Sequence, residues 1–343
     1  MSGTNGSQEG TLPPVTILIE WENAIDVDDE WAASAMAAFE DELERLSNRF
    51  EQKPRVMYLY DQGAVQDSTI RGVIDHVAPK LHELCDLELV PTPGLTYYKL
   101  KNYGVAQTKT DFVVLLDSDA GPKPGWLEGL LAPFEDPEVM AVGGFTVLGW
   151  DETLLSKMMA LAWIMNLPSE REQTLKRKKI HANNCAFRTD FFRANPFPEI
   201  PGAFKKACGF WLRDIDSRGF KWVRTADAMC IHAPQPGGKF LFWRAWTTGT
   251  DRDVLAYHTV TKSRIGRLAY CFYFFGNKVG RAWLRIWTRG GEVDLALWKR
   301  PLAMAYSLYF FSAAFAGELW SAATRSFEEL PSGGTQQPIL ADG

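Results

Sequence analysis

Asp111-Phe-Val-Val-Leu-Leu-Asp-Ser-Asp119 is the stretch on which the fold turns. Its apolar run, Phe112 to Leu116, is unbroken and ends in two carboxylates two residues apart. Such a run, without polar alternation, predicts a strand covered on both faces, as in a parallel sheet flanked by helices. Asp117 and Asp119 then fall at or just past the strand's C-terminal end, the edge where open α/β sheets bind ligands. Two carboxylates crowded there repel each other unless a cation joins them. A hard divalent ion, Mg2+ or Mn2+, takes one or two carboxylates together with phosphate oxygens. The pattern therefore points to a metal–diphosphate site. The competing reading is that both aspartates merely cap the turn into Gly121-Pro-Lys-Pro-Gly125.

Strand-like and helix-like segments alternate on either side of this run. Residues 15–19, 55–60, 87–90 and 139–142 read as strands; the first ends in Glu20-Trp-Glu-Asn23, the second in Asp61-Gln-Gly63 and the last in Gly143-Gly144. Residues 30–50, 69–84, 102–108 and 126–134 read as helices. The alternation predicts an α/β fold with a mostly parallel sheet and right-handed crossovers. It stops near Asp151, where an apolar helix over 154–164 precedes a charged loop over 169–179.

The whole-chain numbers bound the function. The 343 residues carry a net charge of −5, which argues against a nucleic-acid-binding surface over the whole chain. Cys85, Cys185, Cys208, Cys230 and Cys271 are scattered with no CxxC pair, as expected for reduced thiols and a cytoplasmic setting. Residues 1–13 read as a disordered tail and 326–343 as a second one. The region 256–325 alternates aromatic and basic blocks, with Trp283, Trp287, Trp298 and Trp320. That pattern suits helices lying in a membrane interface, at the inner face, or helices packed on the rest of the chain. The apolar run over 302–317 is shorter than the ~20 residues a bilayer span needs.

The order of these motifs resembles the family-two glycosyltransferases of GT-A fold, over residues 13–255. Asp61-Gln-Gly63 resembles the family's second turn, with Gln62 replacing an aspartate. Lys101-Asn102-Tyr-Gly104 is similar to its Arg-Asn-x-Gly, and Asp117-Ser-Asp119 to its Asp-x-Asp. Asn184-Cys-Ala-Phe-Arg188 is similar to its acceptor-side strand. Residues 213–219, Val223, Ala228 and His232 resemble its last helix, strand and metal-side histidine. The resemblance implies a GT-A domain over 14–255, a nucleoside-diphosphate sugar as donor (UDP ahead of GDP) and a bound Mn2+ or Mg2+. It implies Asp119 as direct metal ligand, Asp117 on ribose or metal-bound water, and His232 as a further ligand. Glu22, Asp61, Lys101, Asn102, Asp117 and Asn184 take nucleotide-side positions in this reading, and Lys239 and Arg244 clamp the diphosphate. On the residues alone, His232 reads equally as a hydrogen-bonded core histidine and Asp61 as a turn residue.

An inverting transfer needs a general base, usually a carboxylate. The family's Glu-Asp pair falls on Ala207-Cys208 in this chain. Cys208 would be an unusual base, and Asp214 is the nearest carboxylate substitute if the register shifts. Three functions stay open: a metal-dependent glycosyltransferase acting on a lipid-linked or surface-glycan acceptor, a sugar-nucleotide-binding protein with weak or no transfer, and a nucleotidyltransferase. The acidic Glu20-Trp-Glu22 turn counts against the last, which usually carries a Gly-rich basic loop there.

Overall fold

The computed structural model describes residues 10–22, 29–163, 165–176, 179–234 and 237–327. Its centre is an eight-stranded sheet. The strands are β1 (Val15–Glu20), β2 (Arg55–Asp61), β3 (Asp86–Thr92), β4 (Phe112–Asp117), β5 (Ala120–Pro122), β6 (Val139–Leu148), β7 (Asn184–Arg188) and β8 (Lys221–His232). They lie in the order β3-β2-β1-β4-β7-β6-β8-β5. The first four are mutually parallel and β6 runs parallel to β8, whereas β7 is antiparallel to both its neighbours and β5 is antiparallel to β8.

The helices are α1 (Asp29–Leu46), α2 (Asp67–Val77), α3 (Leu81–Leu84), α4 (Tyr97–Ala106), α5 (Trp126–Leu131), α6 (Leu154–Ala162), α7 (Arg171–Leu175), α8 (Thr189–Ala194), α9 (Ala207–Ser217), α10 (Gly238–Thr259), α11 (Arg264–Arg289) and α12 (Arg300–Thr324). The apolar run of β4 is covered on both sides, as its composition demands. Val114 and Leu116 face a core built on Phe39, Leu43 and Trp126 from α1 and α5. Val113 and Leu115 face another built on Leu100, Phe192 and Trp211 from α4, α8 and α9. Alternate residues of one strand thus feed two hydrophobic layers.

Several boundaries differ from expectation, each for a local reason. The helix expected over 69–84 breaks into α2 and α3 because Pro79 drives Ala78 out of helical geometry, to φ −142°. The segment over 102–108 begins earlier, at Tyr97. The strand expected to stop at Gly143-Gly144 continues as β6 to Leu148. Those glycines are there for space. A Cβ on Gly143 would sit 2.9 Å from the Ile180 side chain, and one on Gly144 would overlap the Asn184 amide. The expected charged loop over 169–179 contains α7, and Glu170 just before it is buried against Arg285 of α11 at 3.0 Å. Arg177 and Lys178 lie outside the described residues, as do Ile164 and most of both expected tails. Leu12 is buried and bridges to Phe50, and Phe327 packs on Tyr257.

A third hydrophobic layer joins α6, α10, α11 and α12 around Met158, Trp163, Ile286 and Phe311. Helix α10 belongs to it and runs unbroken through residue 255. Helices α10 and α12 cross closely through two glycines. A Cβ on Gly249 would overlap the Ala314 carbonyl oxygen, and one on Gly317 would meet the Trp246 carbonyl. Gly249→Ala is therefore expected to cost about 1–3 kcal/mol, read as a lower urea midpoint. Gly276→Ala on α11, where nothing lies within 4 Å, is expected to be neutral or stabilising by up to ~1 kcal/mol.

The charged triplet Asp251-Arg252-Asp253 on α10 sits inside this layer. Arg252 pairs with Glu318 of α12 at 3.3 Å, and Asp253 pairs with Arg267 of α11 at 2.7 Å while accepting from Ser321 at 2.8 Å. Asp251 reaches the other way. Its carboxylate accepts the backbone N–H groups of Phe204 at 2.6 Å and Lys205 at 2.9 Å, in the loop that leads into α9. The helical layer thereby fixes a loop of the sheet domain.

Candidate metal centre

Strand β4 delivers Asp117 at its end, and the Ser118-Asp119 turn follows. β5 then pairs antiparallel with the end of β8, with Ala120 opposite His232. The Ala233 N–H donates to the Asp119 carbonyl at 2.8 Å, which locks the two segments together. This short bridge carries His232 to Asp119 across more than a hundred residues of sequence. Ligand atoms of Asp117, Asp119 and His232 all lie within 4.8 Å of one another. All three residues are buried.

Their hydrogen bonds divide the roles. The His232 ring donates from Nδ1 to the Ala233 carbonyl at 2.9 Å, because a carbonyl can only accept. A neutral ring therefore keeps its lone pair on Nε2, which faces Asp119 Oδ1 at 3.5 Å. Asp119 Oδ1 is buried and accepts no hydrogen bond among the described residues. A buried carboxylate oxygen left so, beside an imidazole lone pair, fits a divalent cation. Burial pushes the Asp119 carboxyl above its usual range, with Asp117 adding to the rise and His232 opposing it. A cation there would remove that penalty.

Asp117 is held differently. Lys101 of α4 donates to its Oδ1 at 2.7 Å, and the Tyr97 hydroxyl lies 2.8 and 2.9 Å from its two oxygens. Burial alone would raise the Asp117 carboxyl, but the Lys101 charge and hydrogen bond bring it below the ordinary value. Glu20 lies directly across the β1–β4 ladder from Asp117 and is fully buried. Burial, then the Asp117 charge, pushes Glu20 well above the usual carboxylate range.

The remaining expected residues fall into two groups. Asp61 stands at the end of β2, on the same sheet edge, where its Oδ1 accepts from the N–H groups of Gly63 and Gly94 at 2.9 and 3.3 Å. Glu22 is half-buried just past β1. Arg244 of α10 stacks over Trp163 at 5.7 Å, and Trp163 meets His232 edge-on at 6.5 Å. These lie around the cluster. The partner of Lys101 is Asp117 rather than a phosphate, since its side chain is 1% exposed. The Asn102 amide is used up on the backbone of Phe197, donating at 2.9 Å and accepting at 3.0 Å. Asn184 accepts from Trp126 Nε1 at 2.9 Å and donates to the Ala228 carbonyl at 3.0 Å. Both asparagines position strands and helices instead of offering free edges to a ligand. Asn23 and the Lys239 side chain lie outside what is described.

Neither base candidate gains a carboxylate partner for an acceptor. Cys208 is half-buried at the start of α9 and its Sγ accepts from the Tyr98 hydroxyl at 3.3 Å. Asp214 is exposed and pairs with Arg218 at 3.0 Å. Six residues beyond Cys208 on a helix is about 240° of rotation, so the two cannot share a face.

Lys205 was not visible to sequence reasoning. Its Nζ lies 4.4 Å from the Tyr97 ring, and its charge lowers the carboxyls of Glu20, Asp117 and Asp119. The triplet containing Asp251, which holds the Lys205 backbone, was the available signal: three charges in succession on an otherwise aromatic helix.

Residues 82–195, which include α4, β4, Asp117, Asp119 and β7, match the family model Glycosyl transferase family 2. That match spans about a third of the chain. The chain is also 46% identical over 59 residues to a pre-mycofactocin glycosyltransferase from Mycobacterium tuberculosis H37Rv, a match covering 17% of this chain and 13% of the relative. The chain thus aligns with about an eighth of that relative's length. Among solved structures it is similar to the mannosyltransferase PcManGT from Pyrobaculum calidifontis in complex with GDP-Man and Mn2+. That pair shares 17% identity at a TM-score of 0.48, over 92% of this chain and 79% of that one. It is also similar to glucosyl-3-phosphoglycerate synthase from M. tuberculosis in complex with Mn2+, UDP and glucosyl-3-phosphoglycerate, at 14% identity and a TM-score of 0.44, over 71% and 78% of the two chains. The sheet is mostly parallel and flanked by helices, as the alternation of segments predicts.

Proposed function

We propose that this protein is a family 2 glycosyltransferase that transfers a sugar from a nucleoside-diphosphate donor, UDP ahead of GDP, to a lipid-linked or surface-glycan acceptor. The observation that carries the reading is the Asp119 Oδ1 to His232 Nε2 pair, buried, 3.5 Å apart and, among the described residues, with no hydrogen bond to that oxygen. Asp119 and His232 would hold Mn2+ or Mg2+, with Asp117 at the edge of the same cluster. When bound, the ion supplies charge neutralisation for the departing diphosphate. The chain adds its own cations: Lys205 beside Tyr97, and Arg244 over Trp163. In a partly dry cleft such fixed charges stabilise a diphosphate more than they would in water. Asp61, at the end of β2, would accept a hydrogen bond from a base edge.

Asp251 acts through Lys205. Asp251→Ala would release the two N–H groups it holds, and KM for the donor is expected to rise roughly tenfold, within the ~1–3 kcal/mol that an unsatisfied buried group costs. A steady-state titration of the donor checks this.

The absence of a carboxylate at Ala207-Cys208 favours a second reading, in which donor binds with little transfer. Incubation with a panel of UDP- and GDP-sugars plus Mn2+ separates the outcomes. Metal-dependent release of nucleoside diphosphate, with sugar found on an acceptor, supports transfer. Tight binding without turnover on any acceptor supports the second reading. Pyrophosphate release from a nucleoside triphosphate would make the protein a nucleotidyltransferase and end the proposal.

A further inference from the structure

The outer side of the α11–α12 hairpin is unlike the rest of the surface. The two helices run antiparallel, with Phe272 against Phe315 and the Trp283 indole donating to the Met304 carbonyl at 3.1 Å. From Leu302 to Trp320 the exposed stripe of α12 contains no charge, because the single charged residue there, Glu318, is buried against Arg252. Leu302, Tyr306, Tyr309 and Trp320 recur on that stripe at helical spacing, and Tyr309 is 58% exposed. Phe272, Leu284 and Trp287 face solvent on α11 beside it, and Trp298 at the turn is 76% exposed. A contiguous apolar face of this kind marks an interaction surface.

Charge identifies the partner. Residues 262–325 hold ten basic and three acidic residues, whereas the whole chain is net −5. A strongly positive hairpin on an acidic protein complements an anionic surface, and exposed Trp and Tyr among aliphatic residues suit the boundary between headgroups and acyl chains. Arg264 is at one end of the hairpin, and Lys299, over the Trp298 ring at 5.3 Å, is at the other. Helix α12, with its flanking turn, is long and apolar enough to cross a bilayer. Its opposite side, however, is committed to α10 through Gly249 and Gly317 and to the Arg252–Glu318 pair.

We propose that the α11–α12 hairpin docks flat on an anionic lipid surface, with the Leu302–Tyr309 stripe inserted at the interface and Arg264 and Lys299 at the lipid phosphates, Arg267 and Arg285 being committed to Asp253 and Glu170. The Asp251 contacts would then hold the Phe204-Lys205 loop in a fixed relation to that surface. The proposal stands apart from the sugar-transfer reading, because lipid binding is measured without turnover.

The test is flotation of the full-length protein with vesicles of phosphatidylcholine alone, or of phosphatidylcholine with phosphatidylglycerol. Binding is expected to the second kind only, and to weaken as salt rises. Leu302→Glu with Tyr309→Glu is expected to reduce it at least ~tenfold, as is Lys299→Glu with Arg264→Glu. Circular dichroism checks that each variant is folded; if the first pair unfolds, the second carries the test. Failure of the wild-type protein to bind anionic vesicles, or binding indifferent to both pairs, would overturn the proposal. So would a dimer in light scattering that the first pair converts to monomer, which would assign the face to a second copy of the chain.

Discussion

Asp119→Asn is expected to weaken Mn2+ binding at least ~100-fold and to abolish metal-dependent transfer while leaving the metal-free fold as stable as the wild type, or slightly more so. The first part follows from the donor set. Loss of a supporting group outside the ligands already costs 10–100-fold in metal affinity, so loss of a ligand's charge costs more. The second part follows from the electrostatics of the three side chains themselves. Asp119 is fully buried beside Asp117, and burial holds its carboxyl above the ordinary range. An amide of the same shape removes a charge that the metal-free protein finds unfavourable. Thermal melts with and without Mn2+ separate the two effects. Wild-type protein should gain stability with the ion, by an amount set by its concentration over Kd, and the variant should not. A variant that still melts higher with Mn2+ and still turns over donor would remove Asp119 from the metal site.

The contrast between Asp119 and its neighbours also explains what the sequence made legible. The apolar run before Asp117 could form only a strand covered on both faces, and the two carboxylates had to lie at its end; the structure places both there. His232 is far along the chain, and only the β5–β8 bridge brings it to Asp119. No local pattern encodes that pairing, so the residue was identified through the order of motifs. Asn102 and Asn184 show the opposite limit. Their motifs are in the expected places, but each amide is spent on the backbone or on an indole. A motif tells where a side chain starts, not which of its possible partners it takes. Gly143-Gly144 was ambiguous for a related reason. Glycine ends strands, and it also lets a side chain lie against a strand that continues. Lys205 and Asp251 left a weaker trace because their effect passes through a backbone contact between two layers. Consecutive charges in an aromatic helix were the only mark of it.

Lys101→Met is expected to destabilise the protein by about 3–5 kcal/mol, the largest stability effect of any single change at this site. The pair it breaks is buried on both sides: the Lys101 side chain is 1% exposed and that of Asp117 is 4% exposed. A pair so placed adds little over a well-packed apolar substitute, but removing one member leaves the other charge in a medium that cannot solvate it. Tyr97 still donates to the same carboxylate but brings no charge to replace the ammonium, and the buried Glu20 stands across the ladder from it. Without Lys101, Lys205 is the remaining cation acting on both acids. Urea unfolding should therefore show a lower midpoint at an unchanged slope. The companion variant, Asp117→Asn with Lys101→Met, removes both charges and should recover most of the loss, giving a coupling energy of about 3 kcal/mol in the cycle. If the double variant is as unstable as the sum of the single ones, Lys101 packs at this site without pairing, and Asp117 keeps its ionised form by some other contact.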